Sequence, residues 1–295
     1  MSAASLFDFL DDLRDLNYPA TWLEMLNTRL TDLEALAKIM DSSMHSESVT
    51  SDVWNREAIE DFALKTGKVY SDLWKDFTPD EYSDETLKIL RDRFNRNEIS
   101  IEGIEHALDD GCGGGRYTHA LHALGIPKVA GVDISPEAIE LGKTRINGAG
   151  NSIEFRQSSV LDLPFPDESF DFVFSNGVLH HTESTEKGLE EIYRVLKPGG
   201  QVWLYLYGGK ESLFWDIVDL CRGLLRDTVP QAYSQMAMSV MGYRSGRIFH
   251  RCDFWYVPVH RRYFESEVET MLRDAGFINW RRLLRGADHD WDEFY

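Results

Sequence analysis

Leucines and one tryptophan recur at three- and four-residue intervals near the start of the chain: Leu6, Leu10 and Leu13, then Trp22, Leu26, Leu30, Leu33 and Leu36 after a break at Pro19. That period gives a helix one apolar face, so two helices are predicted across residues 6–46. Two more helical stretches are expected at 56–64 and 84–94. Beyond residue 100 the pattern changes to short apolar runs alternating with helical segments. Strands are predicted at 105–109, 128–133, 152–157, 170–176 and 201–207, with helices after the first, second and fourth of them. Ser135-Pro136-Glu137 reads as a helix start, a capping hydroxyl followed by proline in the first turn. Lys197-Pro198-Gly199-Gly200 reads as a helix stop and turn ahead of the fifth strand. Such alternation implies a mostly parallel sheet covered on both faces.

From Gly208 the rhythm departs from that scheme. Residues 214–225 form an amphipathic helical pattern, 231–241 an apolar segment with Met236, Met238 and Met241, and aromatics cluster at Phe249, Phe254, Trp255 and Tyr256. A helix at 265–275 and a strand at 277–284 then resume the alternation, and the tail carries Trp291 and Tyr295. The chain therefore divides into a helical N-terminal extension or cap, 1–98, and an α/β domain, 99–295, with an insertion at 208–259. The insertion reads equally as a lid over the ligand-binding strand ends, as extra core or as an oligomer interface. The N-terminal helices could pack as an extension, cap a site or make a homodimer contact.

Composition narrows the picture. With 295 residues, 43% of them hydrophobic, the chain can bury a sizeable core. It has no apolar run of membrane-spanning length and no basic-then-apolar leader over 1–20, so a cytoplasmic protein without a membrane span is expected. The three cysteines, Cys112, Cys221 and Cys252, lack C-x-x-C spacing, which disfavours disulfides and zinc. No acidic cluster has metal-ligand spacing, so no metal is expected. A formal net charge of −19 disfavours a nucleic-acid partner, although Arg261-Arg262 and Arg281-Arg282 with Arg285 make local basic clusters.

The chemistry is concentrated in one turn. Asp109-Asp110-Gly111-Cys112-Gly113-Gly114-Gly115 sits between a predicted strand and a predicted helix at 117–124. Its glycines allow a tight turn and close backbone approach to a ligand. Asp133 follows Asp109 by 24 positions, about one βαβ step, where a carboxylate can accept hydrogen bonds from both ribose hydroxyls. Asp109, at the mouth of the turn, would repel phosphates and suit an ammonium group.

This stretch resembles motif I of the class I S-adenosylmethionine-dependent methyltransferases, and the resemblance runs through most of the chain after residue 100. Asp133-Ile134-Ser135-Pro136, Leu161-Asp162-Leu163-Pro164-Phe165, Phe170–Asn176, Val178-Leu179-His180-His181 and Arg194–Gly200 follow in the family's order. The motifs are similar to those of quinone-biosynthesis methyltransferases. The resemblance implies a Rossmann-like, seven-stranded sheet and S-adenosylmethionine as cofactor. It also implies site roles. Asp109 and the backbone at Gly111, Cys112 and Gly113 would hold the methionine part, Asp133 the ribose, and Ile134 the adenine face. Many family members carry an acid at the adenine amino group, where this chain has Ser159 beside Val160. Asn176 would lie near the sulfonium, and Tyr70 and Trp74 are candidates for lining the site from the segment before the first strand.

His180 and His181 follow the fourth strand, where the acceptor meets the cofactor, and are candidates both for a general base and for a structural or orienting role. His260, Arg261, Arg262 and Tyr263 form a polar run whose arginines could clamp an anionic acceptor or lie on the surface. The expected activity is methyl transfer to oxygen or nitrogen of a small molecule. A tRNA-modifying methyltransferase and a non-catalytic cofactor-binding partner subunit are the alternatives.

Overall fold

The computed structural model describes residues 65–70, 72–73, 81–145, 152–209 and 213–283. The predicted helices over 6–46 and 56–64, along with Trp74, Arg285, Trp291 and Tyr295, lie outside them. Residues 65–70 are helical, and a wide helical turn, Glu81–Glu85, leads into α1, Thr86–Arg96.

Strands β1 (His106–Asp110), β2 (Lys128–Asp133), β3 (Ile153–Gln157), β4 (Phe170–Asn176) and β5 (Leu196–Tyr205) form one sheet in the order β3-β2-β1-β4-β5. Every pairing is parallel. Helix α2 (Arg116–Ala123) joins β1 to β2, α3 (Pro136–Thr144) follows β2, and α4 (Thr185–Val195) joins β4 to β5. The side-chain period of two sorts the core. Ala107, Val129, Phe172 and Phe174 pack on Leu90 and Phe94 of α1 and Leu121 of α2. Their neighbours Leu108, Ala130 and Val173 turn the other way, onto Leu189, Ile192 and Val195 of α4.

Local signals behave as their chemistry requires. The Ser135 hydroxyl accepts the Ala138 N–H at 3.1 Å and caps α3, with Pro136 in its first turn. Ser184 caps α4 in the same way, accepting from Lys187 N–H at 3.1 Å.

Two expectations are corrected. Lys197–Gly200 does not precede the fifth strand. Leu196 already pairs with Phe170, and the register jumps so that Phe172 meets Gln201, which leaves the intervening residues as a bulge within β5. Lys197 Nζ donating to Asp171 at 2.7 Å and Gly199 at φ +81° hold that bulge. Second, residues 277–283 form no strand. Asn279 at φ +59° is left-handed and breaks the extended run, while Ile278 projects into solvent. The sheet thus has five strands among the described residues, where seven were expected.

After β5 come α5 (Leu213–Leu225), α6 (Gln231–Val240), α7 (Ser245–Tyr256) and α8 (Glu265–Asp274). Helices α5 to α7 build their own core from Trp215, Val218, Cys221, Met238, Cys252 and Phe254, and Tyr207 joins it from the end of β5. Met238 is buried, whereas Met236 and Met241 are exposed, so the methionine run is only partly core. No helix among the described residues is long and apolar enough to cross a membrane.

Candidate active site

Strand β1 ends in the glycine turn, which the sheet itself anchors: the N–H groups of Gly111 and Cys112 both donate to Val132 O of β2, at 2.9 and 2.8 Å. Gly111 (φ +79°) and Gly115 (φ +83°) are left-handed, and a Cβ on Gly111 would stand 2.4 Å from Val178 Cγ1. Only glycine meets both demands without strain. From the end of β2, Asp133 reaches back to this turn. Its Oδ2 accepts the Gly113 N–H at 2.8 Å and its Oδ1 the Ser135 N–H at 2.9 Å. Thr118 Oγ1, on the first turns of α2, donates to Asp109 Oδ2 at 2.6 Å. Burial raises both carboxyls, Asp109 to about 7, and the Thr118 hydrogen bond works against the rise at Asp109. Asp110, fully buried behind the turn, is pushed up by burial to about 8.

Of these, Asp109, Gly111, Cys112, Gly113 and Asp133 line a cavity of about 160 Å³ at the carboxyl ends of the strands. Of the residues singled out from sequence, Asp109, Gly111, Cys112, Gly113, Asp133, Ile134, Ser159, Val160, Asn176, Tyr70 and His181 share its wall. His180 does not. Its ring is wholly buried between His181 and Tyr207, at centroid distances of 4.1 and 3.9 Å, and burial drives its pKa well below the imidazole range. The Ser159 hydroxyl accepts the Leu161 N–H at 3.1 Å, and the Asn176 Oδ1 accepts the Trp203 indole N–H at 3.1 Å.

His181 has one nitrogen hydrogen-bonded and the other, buried, without a hydrogen-bond partner. Nδ1–H donates to Val259 O at 2.8 Å, which puts the ring proton there, and Nε2 stands 3.3 Å from Asp253 Oδ1. Burial lowers the His181 pKa, and the Asp253 carboxylate opposes that. The Tyr70 and Tyr207 hydroxyls also donate to Asp253.

Sequence reading missed this acid, together with Tyr205, Tyr207 and His250 on the same wall, while Phe249, also there, belonged to the aromatic cluster of the insertion read as a lid, extra core or interface. The aromatic cluster at 249–256 was the only signal, and a helical reading of it would have placed Phe249 and Asp253 one turn apart on one face. The arginine clamp is not present: Arg261 donates to the carbonyls of Thr182 and Glu183, and Arg262 forks onto Asp219 at 2.8 and 2.5 Å. Among the described residues no group of three or more His, Cys, Asp or Glu could hold a metal ion.

A family model described as a methyltransferase domain matches residues 108–204, from the strand before the glycine turn through β5. That match and the relatives below support a class I S-adenosylmethionine-dependent methyltransferase. It is 41% identical over 101 residues to a demethylmenaquinone methyltransferase of Symbiobacterium thermophilum, which covers 33% of this chain and only 40% of that relative. It is 29% identical over 206 residues to a demethylmenaquinone methyltransferase of Staphylococcus aureus, covering 67% of this chain and 77% of the relative. A solved Bacillus subtilis protein, YcgJ, aligns over 65% of this chain and 68% of its own at 20% identity, with a TM-score of 0.43.

The methyltransferase cofactor, S-adenosylmethionine, carries a sulfonium and an ammonium, and the cavity wall suits those charges. Asp109, Asp133, Glu183 and Asp253 face it against one arginine, Arg116, a balance that attracts a cation and repels phosphate. Ile134 and Val160 supply apolar surface on the same wall.

Proposed function

We propose that this methyltransferase moves the methyl group of S-adenosylmethionine to oxygen or nitrogen of a small, flat, ring-bearing acceptor. The observation that carries the reading is the composition of one cavity wall. The cofactor turn and Asp133 form one side, and Tyr70, Tyr205, Tyr207 and Phe249 bring phenols and aromatic faces to the other. Aromatic rings stack on flat acceptors and exclude water, and methyl transfer from a sulfonium depends mostly on close, aligned, dry approach. The two relatives are named for demethylmenaquinone, a ring-bearing acceptor, and that supports the same class here. In this reading the cofactor binds at Asp109, Gly111, Cys112, Gly113, Asp133, Ile134, Ser159, Val160 and Asn176, Tyr70 touches both cofactor and acceptor, and the segment 208–259 completes the acceptor wall with Phe249.

An RNA acceptor is disfavoured by where the basic residues are spent. Arg261 and Arg262 are bound internally, Arg281 donates to Asn97 O, and Arg282 pairs with Glu265 at 2.9 Å. Those four arginines are the described members of the clusters that would otherwise have made a phosphate-binding stripe.

The test is transfer of isotope-labelled methyl from S-adenosylmethionine into a whole cell extract, followed by fractionation. Label in small metabolites is the expected result, and the product's spectrum then shows whether oxygen, nitrogen or carbon took it. Label destroyed by ribonuclease would move the activity to RNA. An intact protein that binds the cofactor yet labels nothing would point to a partner subunit.

A further inference from the structure

Four parts of the chain meet at one carboxylate. Tyr70 comes from the helical residues 65–70, His181 from the single turn after β4, Tyr207 from the end of β5 and Asp253 from α7. Both phenols donate to Asp253, one to each oxygen. Asp253 is 3% exposed, and all four side chains line the cofactor cavity.

The proton count at this cluster is unusual. The Val259 carbonyl can only accept, so His181 Nδ1 carries a hydrogen, and a neutral ring must turn its Nε2 lone pair toward the Asp253 carboxylate 3.3 Å away. Lone pair against carboxylate, away from water, is repulsive, and a single proton placed between them turns the contact into a charge-assisted hydrogen bond. Burial, which lowers the His181 pKa, keeps the pair free of that proton at rest and so ready to receive one. The other groups facing it are the two phenols, the rings of His180 and His260, and the guanidiniums of Arg222 and Arg261. Those guanidiniums are tied to main-chain carbonyls: Arg222 to Phe254 O at 2.7 Å and Val257 O at 2.6 Å, Arg261 to Glu183 O at 2.6 Å.

We propose that Asp253, paired with His181, is the group that takes the acceptor's proton during methyl transfer, and that the Tyr70 and Tyr207 hydroxyls relay it from the cavity. This rests on the small-acceptor reading above. The balance is simple. The acceptor's X–H bond breaks, and its electron pair becomes the new X–CH₃ bond while the old C–S pair stays on sulfur. The proton passes to a phenol oxygen as that phenol's own proton moves to Asp253 and is shared with His181 Nε2. Sequence position hides the arrangement, because Tyr70 and Asp253 are 183 residues apart.

Two measurements on the intact protein test it. The first needs no acceptor: ¹⁵N NMR titration of the His181 ring, assigned with a His181→Gln spectrum, in wild type and Asp253→Asn. The expected result is a proton-binding constant for Nε2 at least tenfold larger in wild type. Equal constants would overturn the shared proton. Should Asp253→Asn not fold, the Tyr70→Phe/Tyr207→Phe double variant replaces it. Removing two hydrogen-bond donors concentrates charge on Asp253, so His181 must bind its proton more tightly than in wild type, and an unchanged constant overturns the proposal equally.

The second is labelled methyl transfer to 1,4-naphthalenediol under anaerobic conditions, with S-adenosylhomocysteine affinity measured alongside by calorimetry. Asp253→Asn should lose about 100-fold or more in rate, within the span that a positioned base contributes. The loss should shrink as pH rises and the acceptor ionises by itself, while cofactor affinity stays within threefold. Wild-type rate and pH profile retained in Asp253→Asn would reject Asp253 as proton acceptor. No transfer by wild type would count against the acceptor class alone, and the titration would still decide the proton's place.

Discussion

The two sides of the cavity are made in different ways. The side proposed for the cofactor rests mainly on backbone: strand ends, a glycine turn anchored on Val132 O, and one carboxylate bound by two N–H groups within residues 109–135, with Ser159, Val160 and Asn176 beside them. The side proposed for the acceptor is side chain: Tyr70, His181, Tyr207 and Asp253, drawn from four elements and packed against the core of α5 to α7. A backbone site tolerates little change of geometry and hardly depends on distant packing. A side-chain site depends on the packing of every element that contributes to it. Substitutions should therefore separate affinity for the cofactor from competence in transfer.

The largest expected effect is on the acceptor side. Phe254 is almost fully buried in the α5–α7 core against Tyr207 and Trp215, with ring centroids 5.7 and 5.5 Å away. Phe254→Ala should cost about 3–5 kcal/mol of stability, through lost burial and the cavity left behind. Urea unfolding gives the loss, and S-adenosylhomocysteine calorimetry below the transition should show affinity within threefold of wild type. A parallel loss of cofactor affinity would mean that the two sides are one unit. Gly111→Ala makes the converse cut. It combines left-handed strain with the 2.4 Å approach to Val178, so a cost of about 1–3 kcal/mol is expected together with weakened cofactor binding. Adding Val178→Ala should relieve the clash and leave the dihedral strain, so recovery should be partial.

The same contrast explains what could be read from the chain. The glycine turn and its surroundings were legible because each of their requirements is local. A glycine where φ is positive, a capping Ser135 and an acid one βαβ step on leave marks at fixed spacing. That β1 to β5 run parallel followed from the alternation of strands with helices, whereas their order did not. Asp253 left no such mark. An aspartate among aromatics on a helix looks like any other until the fold brings Tyr70 and Tyr207 to it. The bulge at Lys197–Gly200 was misread as a turn because proline and glycine punctuate both, and only the register against β4 tells them apart. The strand expected at 277–284 failed on Asn279, whose left-handed backbone no periodicity reveals.

Within the cofactor side, Asp133 should carry more binding than any other single side chain. Its carboxylate already orders Gly113 and Ser135, so a ligand hydroxyl meets an acceptor fixed in place. Asp133→Ala should weaken S-adenosylhomocysteine binding by about 1–3 kcal/mol, roughly 5- to 150-fold, the range of hydrogen bonds to a charged group. Calorimetry checks this. Asp133→Asn, which keeps the shape and one oxygen, should fall between the two, and affinity equal to wild type in both variants would remove the ribose role.

The smallest effect per step, and the one most diagnostic of Asp109, is its pH dependence. Burial raises this carboxyl to about 7, above the ordinary value near 3.8 that it regains on unfolding. A carboxyl raised in the fold contributes stability that is complete below pH 4 and lost as pH climbs through about 7. The ligand-free protein should therefore weaken across that window, by at most about 1.4 kcal/mol per pH unit for this group. Cofactor binding must run the other way, since the ammonium and sulfonium favour the ionised carboxylate. Affinity for S-adenosylmethionine should rise over pH 6–8 by no more than about tenfold per unit, with proton release visible as a buffer-dependent binding enthalpy. Asp109→Asn should flatten the binding slope and lessen the stability slope. What remains of the stability slope belongs to Asp110, raised to about 8 by burial behind the turn, and to Asp133, also raised by burial, and Asp110→Asn should lessen it further without touching the affinity. Opposite slopes from one carboxyl would place Asp109 both in the fold's electrostatic balance and against the cofactor's positive charge.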